Sequence, residues 1–395
     1  MSAITPPLSR RLDGLRSSAI RDLLKLTARA EIISLAGGLP DAALMPRERI
    51  AVAADAALAD SARLQYTESP GWAPLREVLA ARESERLGRA VPVDEVFVTH
   101  GSQQALSLLA EVLLDPGALV VVEDPAYVGA LQVFRAAGAR IAAVPLDAEG
   151  MRVDALRELL ARGERPAVVH TVSNFHNPGG VTMSPARRAE LAELASAHGF
   201  WVIEDDPYGE LWFDSPAPAP VATYSPNVIR LSSASKILAP SLRVGWMTAP
   251  ESVCRAVELL KQGADLCGSA LTQQIAADLL SDTDWLAAHV NSVREVYGAR
   301  ARALVGAVRD TFGERVVATD AAGGMFVWVD FTDGTNTQEL LPRALEAGVA
   351  YVPGAAFAVD TDYSHSMRLC FTTSDATVLT DAVARLARAA TPAQV

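Results

Sequence analysis

The chain has 395 residues, half of them hydrophobic, and a formal net charge of -12. This length is enough to bury a large core and suggests two domains. The acidic charge argues against nucleic acid or an anionic membrane surface as the main partner, because both attract a basic face. No apolar run is long enough to span a membrane, and the first residues lack the pattern of a secretory signal.

Three widely spaced cysteines, Cys254, Cys267 and Cys370, have no CxxC partner. They are typical of small core residues in a reducing compartment and argue against a disulfide or a zinc site. The composition therefore predicts a soluble cytoplasmic enzyme, and we expect no zinc site.

The N-terminal segment differs in pattern from the rest of the chain. It contains one amphipathic stretch, residues 18–26, and then an extended part rich in Gly and Pro. We expect residues 1–45 to form an arm that packs near the active site rather than a domain.

From residue 96 onward, short apolar runs alternate with helical stretches. The predicted strands are residues 96–99, 118–122, 167–172, 201–203, 228–231 and 244–247, with helices at 102–114 and 128–137. Continuous apolar strands of this kind indicate a mainly parallel sheet covered by helices on both faces. We expect this α/β domain to span residues 46–285.

The pattern becomes helical after Pro250. A long connecting helix is predicted over residues 283–309, followed by strands at 325–329 and 367–371 and helices at 338–347 and 375–389. This mixture predicts a smaller α+β domain over residues 286–395.

Residues that follow the strands of such a sheet meet at one edge, where ligands bind. After the first strand, Gly101 allows a tight turn and Ser102 is a favourable N-cap, so the helix start suits a phosphate. Further along, Tyr127 can stack on a planar ring, and Asn177 can donate to an oxygen or simply form a turn. Taken alone, each signal has an ordinary explanation: a capped helix for Gly101 and Ser102, a core or surface tyrosine for Tyr127, and a turn for Asn177.

The last two strand ends carry charge. Glu204, Asp205 and Asp206 follow an apolar run, where carboxylates are costly unless a cation or polar group faces them. Asp205 suits a protonated pyridine nitrogen; a magnesium site is the rival interpretation. Lys236 lies among small hydroxyl residues, where partial desolvation favours a nucleophilic amine, and Arg243 suits a phosphate.

Together these residues resemble the fold-type I aminotransferases that depend on pyridoxal 5′-phosphate (PLP), in particular the class I subgroup that includes 2-aminoadipate and related α-amino acid aminotransferases. The resemblance runs nearly end to end. It rests on the blocks LAGGLP from Leu35, LQY from Leu64, GSQQA from Gly101, EDDPY from Glu204, SASK from Ser233 and LRVG from Leu242.

The resemblance implies a role for each matching residue. Lys236 would carry PLP as a Schiff base and shuttle the proton, Asp205 would pair with the pyridine nitrogen, and Asn177 and Tyr208 would bind the ring oxygen. Tyr127 would stack on the ring. The phosphate would be held by Gly101, Ser102, Gln103, Ser233, Ser235 and Arg243.

The same resemblance implies a homodimer with shared active sites, in which Tyr66 reaches the phosphate of the partner subunit. Arg368 would bind the α-carboxylate of the substrate, with the Gly38 backbone and Asn177 nearby. Arg21 and Ser18 match the positions that contact the substrate side chain in aminoadipate-like members; a solvated helix face is the alternative for Arg21.

Around Asn177 the chain departs from the family pattern Pro-x-Phe/Tyr-Gln-Asn-Pro-Thr/Ser-Gly. Ser173 replaces the proline, His176 the glutamine and Gly179 the hydroxyl residue. We expect His176 to be a hydrogen-bonding side chain at the pocket rim, with proton transfer or positioning of water or oxygen as the alternative.

The sequence therefore predicts ping-pong transfer of the α-amino group of an L-amino acid to a 2-oxoacid. One alternative keeps the cofactor but catalyses decarboxylation, oxidative deamination or racemisation. A second is an aminotransferase-like, ligand-sensing regulator. We expect it less, because only 36 residues precede Gly37 and the chain is acidic.

Overall fold

The computed structural model describes residues 31–391. Its helices are α1 (Arg47–Leu58), α2 (Ala73–Leu87), α3 (Ser102–Leu113), α4 (Val128–Ala136), α5 (Val153–Ala161), α6 (Pro185–His198), α7 (Glu251–Ala264), α8 (Ala270–Ser281), α9 (Thr283–Phe312), α10 (Thr337–Glu346) and α11 (Ala376–Ala390). Its strands are β1 (Ile33–Ser34), β2 (Val96–Thr99), β3 (Leu119–Asp124), β4 (Arg140–Asp147), β5 (Gly150–Met151), β6 (Pro166–Thr171), β7 (Trp201–Asp205), β8 (Val228–Ser233), β9 (Gly245–Thr248), β10 (Val316–Ala318), β11 (Phe326–Phe331), β12 (Val349–Ala350), β13 (Val352–Pro353) and β14 (Ser366–Cys370).

The largest sheet has eight strands in the order β2-β9-β8-β7-β6-β3-β4-β5. Strands β8, β7, β6, β3 and β4 run parallel to one another. Strand β9 is antiparallel to both β2 and β8, and β5 is antiparallel to β4. The prediction of a mainly parallel sheet is thus confirmed. Because β3, β6, β7 and β8 share one direction, their carboxyl ends lie at the same edge.

Helices cover both faces of this sheet. Apolar side chains of α3, α4 and α7, among them Leu106 and Phe134, pack against one face. Side chains of α5 and α6, among them Leu156 and Leu191, pack against the other. Burial on both faces explains why the central strands are continuous apolar runs in the sequence.

A second, antiparallel sheet has the order β10-β11-β14-β13. The 30-residue helix α9 leads into it and is capped at its N-terminus by Asp282, whose side chain accepts from the backbone N–H of Trp285. Near the start of the described chain, β1 pairs in parallel with β12, so this segment contacts the C-terminal part. The boundaries at residues 45 and 285 remain predictions.

A buried ion pair anchors α3, whose first residues open toward the strand ends. Lys261 in α7 is fully buried, and its Nζ donates to Asp265 Oδ1 at 2.7 Å and to Gln104 Oε1 at 3.2 Å. Gln104 Oε1 also accepts from the backbone N–H of His100 at 2.8 Å. These contacts join the turn before α3 to a helix far along the chain.

Two elements illustrate how the structure differs from the sequence-based expectation. Strand β4 lacks a continuous apolar run because several of its side chains are exposed, and it was not predicted. Ser102 is the first residue of α3 rather than its N-cap, because Gly101, with a φ of 79°, takes the cap position. No helix within residues 31–391 is long and apolar enough to cross a membrane.

Candidate active site

The shared edge of the parallel strands opens on a cavity of about 490 Å³. Most of the predicted site residues line it: Gly38, Gly101, Ser102, Gln103, Tyr127, Asn177, Asp205, Tyr208, Ser233, Ser235, Lys236, Arg243 and Arg368. Tyr66 does not line the cavity and is 77% exposed. Arg21 and Ser18 lie outside the described residues.

One end of the cavity is suited to an anion. The first amides of α3 have no acceptor within the helix and so are free to bind a ligand at Ser102 and Gln103. The guanidinium of Arg243 lies beside them and donates from Nη2 to His100 O at 2.5 Å. A Cβ at Gly101 would lie 2.5 Å from Arg243 Nη2, so a side chain there would displace the arginine.

Two hydroxyls complete this end. Ser233 is the last residue of β8, and its Oγ donates to Ser235 Oγ at 2.9 Å and accepts from the backbone N–H of Ser235 at 3.1 Å. The sequence Ser-Ala-Ser thus forms a tight turn that holds both side chains at the strand end. Hydroxyls, free amides and a guanidinium together form a donor set suited to phosphate.

Asp205 supplies a buried negative charge. It is the last residue of β7 and only 2% exposed, and its Oδ1 has no hydrogen-bond partner among the described residues. Its Oδ2 lies 3.8 Å from His170 Nε2, beyond hydrogen-bonding distance. A buried carboxylate without a partner is costly, so this atom is suited to a cationic N–H donor entering the cavity.

Lys236 follows the serine turn and faces the cavity from the end of β8. Its Nζ donates to the backbone oxygen of Gly38 at 3.1 Å. Burial lowers the pKa of Lys236 to about 8, and the positive charges of Arg368 and Arg243 act in the same direction. The amine is therefore partly neutral near physiological pH, as a nucleophile or a proton acceptor requires.

Arg368 lies on β14 of the second sheet and is 2% exposed. Its Nη1 donates to Asn177 Oδ1 and its Nη2 to Ala36 O, both at 2.7 Å, while Nε has no partner among the described residues. The guanidinium carbon lies 4.1 Å from the ring centroid of Phe326 and 5.0 Å from that of Phe357. This arrangement holds a guanidinium in place for an incoming carboxylate.

Two tyrosines face the same space. Burial raises the pKa of Tyr127 to about 12, and burial also raises the pKa of Tyr208. Both phenols therefore keep their proton at neutral pH and act as hydrogen-bond donors. The hydroxyl of Tyr127 donates to Gln103 Oε1 at 3.2 Å.

His176 does not lie at the rim of the pocket, contrary to the sequence-based expectation. It is fully buried, its Nδ1 accepts from the backbone N–H of Gly179 at 3.0 Å, and its Nε2 lies 2.9 Å from Glu123 Oε2. Burial would raise the pKa of Glu123, but His176 and the donors at Thr171 and Val172 lower it. Both ring nitrogens therefore face protein groups and not the cavity.

A buried network of ion pairs connects β8 and the end of β7 to helix α2. Arg230 in β8 donates from Nη1 to both carboxylate oxygens of Glu83 at 2.8 Å and from Nη2 to Asp206 Oδ2 at 2.7 Å. Glu83 also accepts from the indole N–H of Trp246 at 2.9 Å. The network compensates the buried charge of Asp206, whereas Glu204 accepts from Ser173 Oγ at 2.7 Å and from the backbone N–H of Val221 at 2.9 Å. The three predicted carboxylates at this strand end therefore have different partners.

The cavity also has apolar walls that the sequence did not reveal. Val128, Phe326 and Phe357 line it near Arg368. Val128 follows Tyr127 directly, which is a local signal for its position. The two phenylalanines come from the second sheet and its loops, and no pattern in the sequence links them to the strand ends.

Comparisons with known proteins agree with this geometry. Residues 30–386 match the family described as aminotransferase class I and II. The chain is 39% identical to aromatic-amino-acid aminotransferase 1 of Thermococcus litoralis over 95% of this chain and 91% of that protein. It is 41% identical to 2-aminoadipate transaminase of Thermus thermophilus over 95% and 94%.

A solved structure is similar throughout. The kynurenine aminotransferase of Pyrococcus horikoshii, in complex with PMP, superposes with a TM-score of 0.92 at 40% identity. The match covers 97% of this chain and 96% of that one. The matched part of the chain thus includes both sheets and the residues that line the cavity.

Proposed function

Because the chain belongs to the class I and II aminotransferases and so uses PLP to move an α-amino group from an L-amino acid to a 2-oxoacid, we propose that Lys236 holds the cofactor and carries the proton of this reaction. The observation behind the proposal is the partly desolvated amine of Lys236, which shares one cavity with the unpartnered carboxylate of Asp205 and the buried guanidinium of Arg368. When bound, PLP supplies an aldehyde for covalent attachment and a ring that accepts electrons from the substrate Cα.

The residues present fit this cofactor. We assign Asp205 Oδ1 to the pyridine N–H, because it is buried and has no partner among the described residues. At the other end, the phosphate would be held by Gly101, Ser102, Gln103, Ser233, Ser235 and Arg243, which all line the cavity. Asn177 and the protonated phenol of Tyr208 would bind the ring oxygen, and Tyr127 would stack on the ring.

Arg368 and Lys236 have separate roles at the substrate. Arg368 binds the α-carboxylate through two N–H donors, which fixes the orientation of the amino acid. Lys236, with its pKa of about 8, would take the proton from Cα and deliver it to the C4′ atom of the cofactor. The Gly38 carbonyl oxygen holds Nζ in place for both transfers.

The substrate class follows from the cavity walls. Val128, Phe326 and Phe357 line the cavity, and the two phenylalanine rings lie against the Arg368 guanidinium, so we propose amino acids with a large apolar or aromatic side chain. The name of one relative, aromatic-amino-acid aminotransferase, agrees with this choice, whereas the name of the other, 2-aminoadipate transaminase, refers to a substrate with an acidic side chain. An acidic side chain would need Arg21 and Ser18, whose predicted role stays a proposal.

We also propose that the enzyme is a homodimer in the cytoplasm. Exposed apolar side chains favour an interface between copies: Leu39 is 55% exposed, Leu64 65% and Tyr66 77%. In the dimer, Tyr66 would bind the phosphate of the partner subunit. Cys254, Cys267 and Cys370 are free thiols, in keeping with a reducing compartment.

Single-turnover measurements test the proposal. Holoenzyme is mixed with one amino acid at a time and no 2-oxoacid, and the visible absorbance of the bound cofactor and the released product are followed. We expect one 2-oxoacid per active site and regain of absorbance on adding a 2-oxoacid. Release of carbon dioxide, ammonia or peroxide as the main product would contradict amino transfer. Lys236→Ala is expected to abolish the half-reaction.

Two further experiments test the roles assigned to Arg21, Ser18 and Tyr66. The pair Arg21→Ala and Ser18→Ala is expected to reduce turnover of 2-aminoadipate more than that of phenylalanine; no change for any substrate would refute the assignment. Mixing Lys236→Ala subunits with Tyr66→Ala subunits is expected to restore activity, because one site of the hybrid dimer receives Tyr66 from the other chain. Absence of restoration would place Tyr66 within its own subunit or outside the site.

A further inference from the structure

A buried carboxylate ties a loop of the C-terminal part to the end of β3. Asp124, the last residue of β3, is 2% exposed. Its Oδ1 accepts from the backbone N–H of Val359 at 3.1 Å, and its Oδ2 from those of Asp360 at 3.2 Å and Thr361 at 2.9 Å. Three successive amides of one loop thus converge on a single side chain.

The same loop forms a wall of the cavity. The carbonyl oxygen of Phe357 accepts from the backbone N–H of Ala126 at 2.9 Å, and the Phe357 ring is fully buried and lines the cavity. That ring lies 5.0 Å from the Arg368 guanidinium carbon and belongs to the same apolar cluster as Val128. The Phe357 ring therefore lies beside the proposed carboxylate site and is itself part of the apolar wall for the substrate side chain.

We propose that Asp124 is a positioning residue for the choice of substrate: by holding the amides of residues 359–361, it fixes the Phe357 ring and so sets the room for the substrate side chain. The inference rests on the proposed function, because it takes Arg368 as the α-carboxylate site. A carboxylate accepts from backbone amides more strongly than a neutral group does. An asparagine at this position would also direct an NH2 group at an N–H donor.

The test compares kcat and KM of holoenzymes for L-alanine, L-leucine and L-phenylalanine. Asp124→Asn is expected to change KM for leucine and phenylalanine by about tenfold more than for alanine, a difference of about 1.4 kcal/mol, with cofactor absorbance per subunit unchanged. Asp360→Asn is the matched control, because it makes the same chemical change on an exposed side chain of the same loop. Phe357→Leu is expected to reproduce the substrate order of Asp124→Asn.

A double variant separates this role from a general loss of structure. If Asp124 acts through Phe357, combining Asp124→Asn with Phe357→Leu adds little to Phe357→Leu alone. Equal losses on all three substrates, full additivity, or no difference between Asp124→Asn and Asp360→Asn would each overturn the proposal.

Hydrogen exchange provides a readout that is independent of turnover. In the wild-type holoenzyme the amides of residues 359–361 are expected to exchange slowly, and in Asp124→Asn at least about tenfold faster. Fast exchange in the wild type would overturn the proposal that Asp124 holds the amides of residues 359–361, even if the Asp124 variant did not fold. A wild-type enzyme that converts none of the amino acids would instead refute the proposed function and leave the exchange result to decide on Asp124.

Discussion

The lowered pKa of Lys236 predicts that the catalytic amine destabilises the cofactor-free protein. Burial lowers this pKa to about 8 from the 10.5 of an exposed lysine. Replacing Lys236 with methionine removes the charge and keeps a side chain of similar length. We therefore expect the cofactor-free Lys236→Met variant to be more stable than the wild type at pH 7.

The size of the effect follows from the shift. One pKa unit corresponds to about 1.36 kcal/mol, so the difference between 10.5 and about 8 amounts to about 3 kcal/mol. Between pH 8 and 10.5 the unfolded chain binds more protons at this site than the folded one, so stability rises with pH through that window. Below pH 8 both states are protonated and the full cost applies; above 10.5 both are neutral and it disappears.

Urea unfolding of the cofactor-free proteins measures this difference, at one protein concentration because a dimer is expected. The gain in Lys236→Met is expected to be about 2–3 kcal/mol at pH 7 and to shrink toward pH 10.5. Lys261→Met is the matched control: it removes a buried amine that is paired with Asp265, so it is expected to destabilise the protein at pH 7. A Lys236→Met variant less stable than wild type at pH 7, or a gain independent of pH, would refute the reasoning.

Three other substitutions test the site and its support. Asp205→Asn keeps the shape but removes the charge, and turnover is expected to fall by about 10²–10³, as for loss of one electrostatic group; a loss under about tenfold would contradict the assignment. Glu83→Gln leaves the buried charge of Arg230 poorly compensated and is expected to cost about 3 kcal/mol in urea unfolding, whereas Glu85→Gln on the exposed side of the same helix is not. His176→Gln is expected to keep turnover within about threefold and the same 2-oxoacid product, because His176 does not reach the cavity; a new product would show otherwise.

The sequence predicted what local patterns encode. Strands buried on both faces are continuous apolar runs, so β3, β7 and β8 were recognisable, and their shared direction implied that Asp205 and Lys236 meet at one edge. The residues at successive strand ends carry the resemblance to the PLP-dependent aminotransferases, and that resemblance implied the cofactor. Strand β4 was missed because its exposed side chains break the apolar pattern.

Partners far apart in the chain were not predictable. Arg230 and Glu83 are 147 residues apart, and Asp124 and Thr361 are 237 apart; neither pair has a local signal. His176 was expected at the rim because its neighbour Asn177 lines the cavity, yet successive residues of a turn point in different directions. Its buried contact with Glu123 is a tertiary property.

The pairing of Lys261 with Asp265 has a consequence for covalent chemistry. The chain contains only three lysines, Lys25, Lys236 and Lys261. Within residues 31–391, Lys261 is fully buried and engaged by its ion pair, so Lys236 is the one lysine amine of this region that faces a cavity. A cofactor aldehyde therefore meets few competing amines, and amine-reactive reagents become site-selective reporters of whether the active site is occupied.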